Sequence, residues 1–212
     1  MTHVLLAVNG APVSVRLMKQ LARQSDLWVA ADGGARQFFR AGLVPQVVIG
    51  DLDSLPVSLA KKIPPHRLIA VHTQQNNDLE KALSYLVKQG VTSCTLVGLT
   101  GGRWDFSWAN FLLLTRFAKK MQLKVVGEGW TLHVLARSSY LTCVKGCRAS
   151  LLPLTTCSAV SIEGFVYPLR AAQLRVGTTR TLSNQTRCSR VRVSLKSGVL
   201  GVYLETKGKI IS

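Results

Sequence analysis

Two carboxylates stand two positions apart, directly after a short apolar run, where residues 47–54 have the sequence VVIGDLDS. A β-branched run that ends at a glycine predicts a buried strand of a parallel sheet, and ligands bind at the carboxyl edge of such sheets. If the backbone stays extended, Asp51 and Asp53 project to the same side and repel each other unless a cation lies between them. Such oxygen ligands suit Mg²⁺. The alternative is that Ser54 caps a helix with Pro56 just inside it.

A glycine-rich segment, GLTGGRWD at residues 98–105, lies between a predicted strand and a predicted helix. Its backbone N–H groups and the helix N-terminus can bind a phosphate, and Arg103 can add charge-assisted hydrogen bonds. The segment matches neither the Walker loop nor the dinucleotide fingerprint, because the glycine spacing differs. A tight turn with Asp105 in the first turn of the helix is the alternative. Residues 32–34, DGG, give a similar but weaker signal.

Asp78 is predicted in the first turn of a helix, where the helix dipole favours an anion even without a ligand. Lys81 follows one helical step later and can reach either a phosphate or solvent. The sequence contains no Ser-His-Asp or Cys-His arrangement, and its four histidines lack the spacing of a metal site. Nucleophilic catalysis by the protein is therefore not favoured.

Strands and helices alternate over the first 127 residues, which predicts an α/β domain with a mostly parallel, doubly wound sheet. The predicted strands are 4–8, 27–31, 47–49, 67–72 and 94–97, and the predicted helices are 13–24, 35–41, 56–62, 77–88 and 104–120.

The pattern changes near Gly127, after which short alternating runs are separated by turn residues, as is typical of an antiparallel β-sandwich. We therefore predict two domains, 1–127 and 128–212. Residues 196–198 predict a hairpin turn between the last two strands. The predicted strands of the second domain are 131–136, 140–144, 149–153, 159–162, 173–176, 190–195 and 199–204.

The chain of 212 residues has 27 basic and only 10 acidic residues, for a net charge of +17. A basic chain attracts polyanions, so a nucleic-acid-binding module is one hypothesis. The basic residues are dispersed, however, with no run longer than two, and the charge reflects a shortage of acids. Nucleic acid is therefore not a favoured partner. Half of the acids fall where a predicted strand ends or a helix begins: Asp32, Asp51, Asp53, Asp78 and Asp105.

No stretch of eighteen apolar residues predicts a membrane span, and the N-terminal sequence lacks the basic region of a signal peptide. The five cysteines are odd in number and scattered, and the spacing of Cys143 and Cys147 has no second ligand pair. We therefore expect reduced thiols in a cytoplasmic protein.

Taken together, the ordered motifs resemble those of the thiamine pyrophosphokinase (thiamine diphosphokinase) family over nearly the whole chain. In the first domain the matching segments are DGGA at 32–35, GDLDS at 50–54, NDLEKAL at 77–83 and GLTGGRWD at 98–105, followed by Ala109-Asn110. In the second domain they are EGFVYPL at 163–169 and LSN at 182–184.

This resemblance implies an enzyme that moves a diphosphate from ATP to the hydroxyl of thiamine and releases AMP. It implies a homodimer with an ATP-binding α/β domain, a thiamine-binding and dimerisation β-sandwich, and thiamine pockets between the subunits. Asp78 or Asp53 is the expected proton acceptor, and Trp130 is a further candidate for binding the thiamine cation. By position, the resemblance implies that the catalytic residues and Mg²⁺ ligands are Asp51, Asp53 and Asp78. The implied thiamine site contains Ser183, Asn184 and Tyr167. The implied ATP site contains Asp32, Gly33, Lys81, Gly101, Gly102, Arg103 and Asp105.

Two positions depart from the family pattern. Gln75 replaces an acid that bacterial members usually carry three residues before the aspartate matching Asp78, and Phe106 replaces a histidine or glutamine. Fewer polar groups near the metal and the nucleotide suggest an alternative, a catalytically impaired member that still binds nucleotide or thiamine.

Overall fold

The computed structural model describes residues 2–73 and 75–206. The chain forms two compact units, residues 1–113 and 114–212. The division falls within a helix, and the predicted domain boundary after residue 127 stays a prediction. Among the residues described, no helix is both long and apolar enough to cross a membrane.

The first unit contains five parallel strands in the order β5-β1-β2-β3-β4. Strand β5 pairs with β1 on the opposite side from β2, and ligands bind at the carboxyl edge of such open α/β sheets. The strands are β1 (His3–Ala7), β2 (Leu27–Ala31), β3 (Val47–Gly50), β4 (Leu68–Ala70) and β5 (Ser93–Val97).

Five helices connect or follow these strands, and side-chain caps fix where two of them begin. The Leu17 N–H donates to the Ser14 hydroxyl, and the Glu80 N–H donates to the Asn77 side chain. Each of these two helices buries one apolar stripe, as in the pair Leu79 and Leu83. The helices are α1 (Val15–Arg23), α2 (Ala35–Arg40), α3 (Val57–Ala60), α4 (Asp78–Lys88) and α5 (Trp104–Phe117).

The second unit contains two antiparallel sheets, with the strand orders β12-β9-β14-β7-β6 and β11-β10-β13-β8. Alternate residues of their strands are buried in one apolar core, as in Val191 and Val193. The strands are β6 (Gln122–Gly127), β7 (Trp130–Leu135), β8 (Ser139–Thr142), β9 (Arg148–Pro153), β10 (Cys157–Glu163), β11 (Leu169–Leu174), β12 (Asn184–Gln185), β13 (Arg190–Ser194) and β14 (Leu200–Glu205).

The predicted fold class, a parallel α/β sheet followed by an antiparallel sandwich, is confirmed. The predicted hairpin at residues 196–198 is wrong, because β13 and β14 belong to different sheets. Strand β14 pairs on both edges, with β7 and β9, and buries Leu200, Val202 and Leu204. The chain between the two strands therefore crosses from one sheet to the other.

Three smaller differences concern element bounds. The sequence prediction omitted β6 and β12, and it placed the strand now assigned to β11 at 173–176. Helix α3 is also shorter than the predicted helix 56–62. These segments are short, and tertiary pairing rather than local pattern determines their conformation.

Candidate active site

Three aspartates from different elements meet at the carboxyl edge of the parallel sheet. Asp32 follows β2, Asp51 follows β3, and Asp78 begins α4. Each contributes one carboxylate oxygen to a group whose members all lie within 4.8 Å of one another. We call these three residues the acidic cluster. Adjacent parallel strands end at the same edge, so the topology forces the three side chains together.

Gly50 leaves the space in which the acidic cluster forms. A Cβ atom at this position would lie 2.7 Å from the Asp32 Cβ and 3.1 Å from the Asp78 Oδ1. The first distance is shorter than carbon atoms tolerate without a shift of the backbone. Glycine at the end of β3 therefore permits the close approach of the two carboxylates.

Lys81, which the sequence predicted to face a phosphate or solvent, points into the acidic cluster instead. Its Nζ lies 3.1 Å from the Asp51 Oδ2 and 2.9 Å from the Asp78 Oδ1, and its side chain is only 2% exposed. Burial alone lowers the pKa of Lys81, but the hydrogen bonds and charges of Asp78 and Asp51 outweigh burial and raise it. The hydrogen bond from Lys81 in turn holds the pKa of Asp51 below its usual value.

Asp32 is the most buried member, at 1% exposure. Burial, together with the charges of Asp78 and Asp51, raises its pKa to about 6, although the hydrogen bond from the Ser54 N–H lowers it. Within the described part of the chain, the buried Oδ1 atoms of Asp32 and Asp51 have no hydrogen-bond partner. Unpaired buried carboxylate oxygens close to a third carboxylate fit a hard divalent cation.

Asp53, predicted as a metal ligand together with Asp51, is exposed and lies outside the acidic cluster. Leu52, whose φ of 67° is left-handed, interrupts the predicted extended backbone between the two carboxylates. The alternative in which Ser54 caps a helix is also wrong. Helix α3 is capped by Pro56, and the Ser54 hydroxyl donates to the Asp53 Oδ1 at 3.1 Å.

The glycine-rich segment after β5 is buried at Gly98 and Leu99 and exposed from Gly101 onward, where it leads into α5. Its Thr100 carbonyl accepts from the Ala11 N–H at 2.6 Å, which joins the loop to the one after β1. Gly101 has a φ of 94°, and a Cβ there would contact Ala11, so this turn requires glycine. Gly102 is also left-handed and exposed. Gly33, by contrast, is buried beside Asn9.

Arg103 and Asp105, both predicted in the ATP site, bind each other in this structure. The Arg103 Nη2 lies 2.6 Å from the Asp105 Oδ2, and the Nε lies 3.1 Å from the Oδ1. The hydrogen bond from Arg103 holds the pKa of Asp105 below its usual value. The Arg103 guanidinium also lies 4.5 Å from the ring centroid of Phe106. Phe106 therefore contacts the arginine through its ring, as a cation–π partner.

Two of the three predicted thiamine residues are in direct contact. The Asn184 side chain accepts from the Tyr167 N–H at 3.1 Å and donates to the Tyr167 carbonyl at 2.7 Å. The Tyr167 ring is free to bind a ligand, since the residue is 69% exposed. Ser183 is next to Asn184, has a left-handed φ of 58°, and donates its N–H to Ser150. Trp130 stacks on Tyr203 instead.

The sequence did not reveal two contacts that hold the site. The Ser54 N–H donates to Asp32, and the buried Asn110 accepts from the Asn77 side chain at 3.1 Å. Asn110 lies in the Ala109-Asn110 motif, but no spacing rule links it to Asn77, which is 33 residues away. Both contacts depend on tertiary structure.

The fold and the site together define an α/β enzyme whose centre is an acidic cluster suited to binding a cation. An antiparallel β-sandwich follows in the chain. The sequence matches the family model "Thiamin pyrophosphokinase, catalytic domain" over residues 18–126, and "Thiamin pyrophosphokinase, vitamin B1 binding domain" over residues 133–200. The chain therefore belongs to the thiamine pyrophosphokinase family. The predicted family and the predicted enzyme class, a thiamine diphosphokinase, are confirmed.

Known proteins are similar to this chain over almost its full length. The chain is 26% identical to the thiamine pyrophosphokinase of Bacillus subtilis (strain 168) over 204 residues, which cover 91% of this chain and 94% of that protein. The thiamin pyrophosphokinase structure from Geobacillus thermodenitrificans has a TM-score of 0.82 at 25% identity, covering 99% and 100% of the two chains. The structure from Candida albicans has a TM-score of 0.82 at 15% identity, covering 96% and 89%.

We expect the substitution Asp32→Asn to stabilise the metal-free protein. The raised pKa of Asp32 means that its charge opposes folding at neutral pH, and this cost shrinks as the pH falls below about 6 toward the ordinary value of 3.8. Asparagine keeps the acceptor for Ser54 and tolerates the left-handed φ of 42°. Denaturant unfolding at pH 7 in a metal chelator should show a gain of about 1–3 kcal/mol, shrinking toward pH 5. A loss of stability at pH 7 would contradict this assignment.

Removing the buried ammonium group of Lys81 should destabilise the metal-free protein. Lys81→Met leaves the acidic cluster without its counter-charge, so the metal-free protein should lose about 3–5 kcal/mol of stability. Added Mg²⁺ should restore more stability to this variant than it adds to the wild type, because the cation replaces the lost charge. Lys88→Met, at the exposed end of the same helix, is the control. Equal effects of the two substitutions would show that Lys81 does not neutralise the cluster.

Proposed function

We propose that this chain transfers a diphosphate group from ATP to the hydroxyl of thiamine, giving thiamine diphosphate and AMP, with Mg²⁺ at the acidic cluster. The observation that carries the proposal is the convergence of Asp32, Asp51 and Asp78 within 4.8 Å. This convergence lies inside the region that matches the family's catalytic domain.

The donor set supports Mg²⁺ as the ion. Three carboxylates offer hard oxygen ligands, and two of their buried oxygens have no partner among the described residues. Asp32, Asp51 and Asp78 would hold the ion, which when bound neutralises phosphate charge during transfer. This assignment replaces Asp53 with Asp32 in the ligand set predicted from the sequence.

The other residues position the reactants. Lys81 fixes the orientation of the Asp51 and Asp78 carboxylates through its two contacts. The loop of Gly101 and Gly102 precedes α5, whose N-terminus favours a phosphate group. Arg103 is 72% exposed and can exchange its contact with Asp105 for a phosphate of ATP.

Asp53 is our proposed proton acceptor for the thiamine hydroxyl. Asp78, the other candidate, already binds Lys81, and Asp32 is buried. Asp53 is exposed, and it follows Asp51 of the acidic cluster closely in the sequence. The Ser54 hydroxyl orients the Asp53 carboxylate by a hydrogen bond. A carboxylate that accepts a proton must reach the substrate, which an exposed residue can do. Tyr167, Ser183 and Asn184 are proposed to bind thiamine.

The catalytically impaired alternative rests on Gln75 and Phe106. Gln75 is exposed, with its N–H bonded to Thr73, and Phe106 contacts Arg103. Neither contact disturbs the acidic cluster, which favours an active enzyme. Ligand binding without AMP release would select the alternative.

A homodimer also belongs to this proposal. Trp104, Trp108 and Leu112 recur every fourth residue on α5, so they form one apolar stripe, and they are 79%, 59% and 43% exposed. Exposed apolar stripes of this kind commonly form protein interfaces. Sedimentation should give twice the mass of 23.1 kDa, whereas a monomer at micromolar concentration would contradict the dimer. A cytoplasmic location stays a prediction from the sequence.

The direct test is AMP release from ATP and Mg²⁺, with and without thiamine. We expect thiamine-dependent AMP and an equal amount of thiamine diphosphate. ADP would instead indicate transfer of a single phosphate and contradict the proposed reaction.

The variants Asp51→Asn and Asp53→Asn separate the two proposed roles. Asp51→Asn should abolish turnover and shift the Mg²⁺ dependence of any residual rate. Asp53→Asn should lower kcat about 100-fold or more without changing the Mg²⁺ dependence, because it removes a proton acceptor rather than a ligand. Full activity in both variants would refute the assignment of this loop to the active site.

A further inference from the structure

The solvent-facing side of the four-stranded sheet in the second unit is rich in arginine and carries one exposed aromatic ring. Alternation along the strands defines this side, because the residues between its members are buried in the core of the unit. We call it the outer face, and it consists of Tyr140 and Thr142 of β8, Arg190, Arg192 and Ser194 of β13, and Ser161 and Glu163 of β10.

Arginine and aromatic side chains lie together on β13 and the edge strand β8 of the outer face. The Arg190 guanidinium is 4.5 Å from the ring centroid of Tyr140, and the Arg192 guanidinium is 5.8 Å from it. Tyr140 is nevertheless 59% exposed. Such contacts hold guanidinium groups in place while their N–H donors stay available for a ligand.

One of the two arginines of the outer face has no carboxylate partner among the described residues. Arg192 contacts the Glu163 Oε1 at 3.3 Å, but across residues 2–73 and 75–206 no carboxylate pairs with Arg190. Between residues 137 and 196 the sequence has ten basic residues and one acidic residue, Glu163. Arg170 on β11 and Arg187 just before β13 are both exposed. The basic residues are dispersed in sequence, and alternation along β13 places Arg190 and Arg192 on one surface.

We infer that the outer face binds single-stranded nucleic acid. Arginines neutralise phosphates, bases stack on aromatic rings and guanidinium planes, and the Ser and Thr hydroxyls supply hydrogen bonds. Four strands about 4.8 Å apart make a platform about 15 Å wide, enough for two or three nucleotides. Four-stranded sheets with exposed aromatic side chains bind RNA in this way. The inference does not depend on the proposed enzymatic function.

Two other occupants fit this surface less well. A two-fold contact between copies of the chain would place the outer face against itself, so arginine would meet arginine. A membrane surface would require several protruding apolar side chains, and Tyr140 is the only large aromatic residue of the outer face. The chemistry therefore favours a polyanion with stackable bases.

The test is the fluorescence anisotropy of a labelled RNA of about twelve nucleotides and mixed sequence, titrated at several salt concentrations. The double substitution Arg190→Gln with Arg192→Gln should weaken binding about tenfold or more and reduce the salt slope by about 1.4, or about 0.7 for each lost contact. The matched control is Arg16→Gln with Lys19→Gln, which removes two exposed charges from α1 and should change the affinity less than about threefold.

Tyr140 provides a second, independent readout. Tyr140→Ala should weaken binding about fivefold or more with an unchanged salt slope, because it removes stacking rather than charge, while Tyr140→Phe should bind normally. Unchanged melting temperatures would show that the variants remain folded. The inference would be overturned by an absence of RNA binding at about 100 mM salt, by equal losses in the two double variants, or by binding to anionic lipid vesicles alone.

Discussion

The mutual repulsion of three carboxylates is the constraint on which the rest of the site depends. At an effective dielectric constant of about 20, each pair of charges within 4.8 Å repels by about 3 kcal/mol or more. The two contacts of Lys81, at 3.1 and 2.9 Å, each return about 5 kcal/mol on the same scale. The buried ammonium therefore offsets a large part of the repulsion in the metal-free protein, while two carboxylate oxygens remain unpaired among the described residues.

The backbone near the acidic cluster adopts strained conformations, which lower the stability of the fold. Asp32 and Leu52, on either side of the site, both have left-handed φ values, which cost about 1–3 kcal/mol each in residues other than glycine. At Asp32 the conformation accompanies the turn at the end of β2, and at Leu52 it interrupts the extended backbone between Asp51 and Asp53. Gly50 completes the geometry by leaving room for two carboxylates. Stability is thus given up where the chemistry requires a specific placement of charge.

Sequence patterns predicted the elements that bring the site together, because strand ends and helix caps are local signals. Asp51 after β3 and Asp78 in the first turn of α4 were both predicted in this way. The position of Asp53 outside the acidic cluster was not predictable, since leucine rarely adopts the left-handed conformation found at residue 52. The direction of Lys81 was equally hidden, because it depends on how α4 packs beside β3. The misplaced hairpin after β13 has the same origin, since pairing of β14 on both edges is a tertiary effect.

The central claim is that Asp32, Asp51 and Asp78, but not Asp53, hold a divalent cation. Mn²⁺ binding, measured by electron paramagnetic resonance and competed with Mg²⁺, tests this claim without relying on turnover. We expect Asp32→Asn, Asp51→Asn and Asp78→Asn each to weaken Mn²⁺ binding about tenfold or more, and Asp53→Asn to leave it unchanged. Normal binding by Asp32→Asn together with lost binding by Asp53→Asn would contradict the claim and restore the ligand set predicted from the sequence.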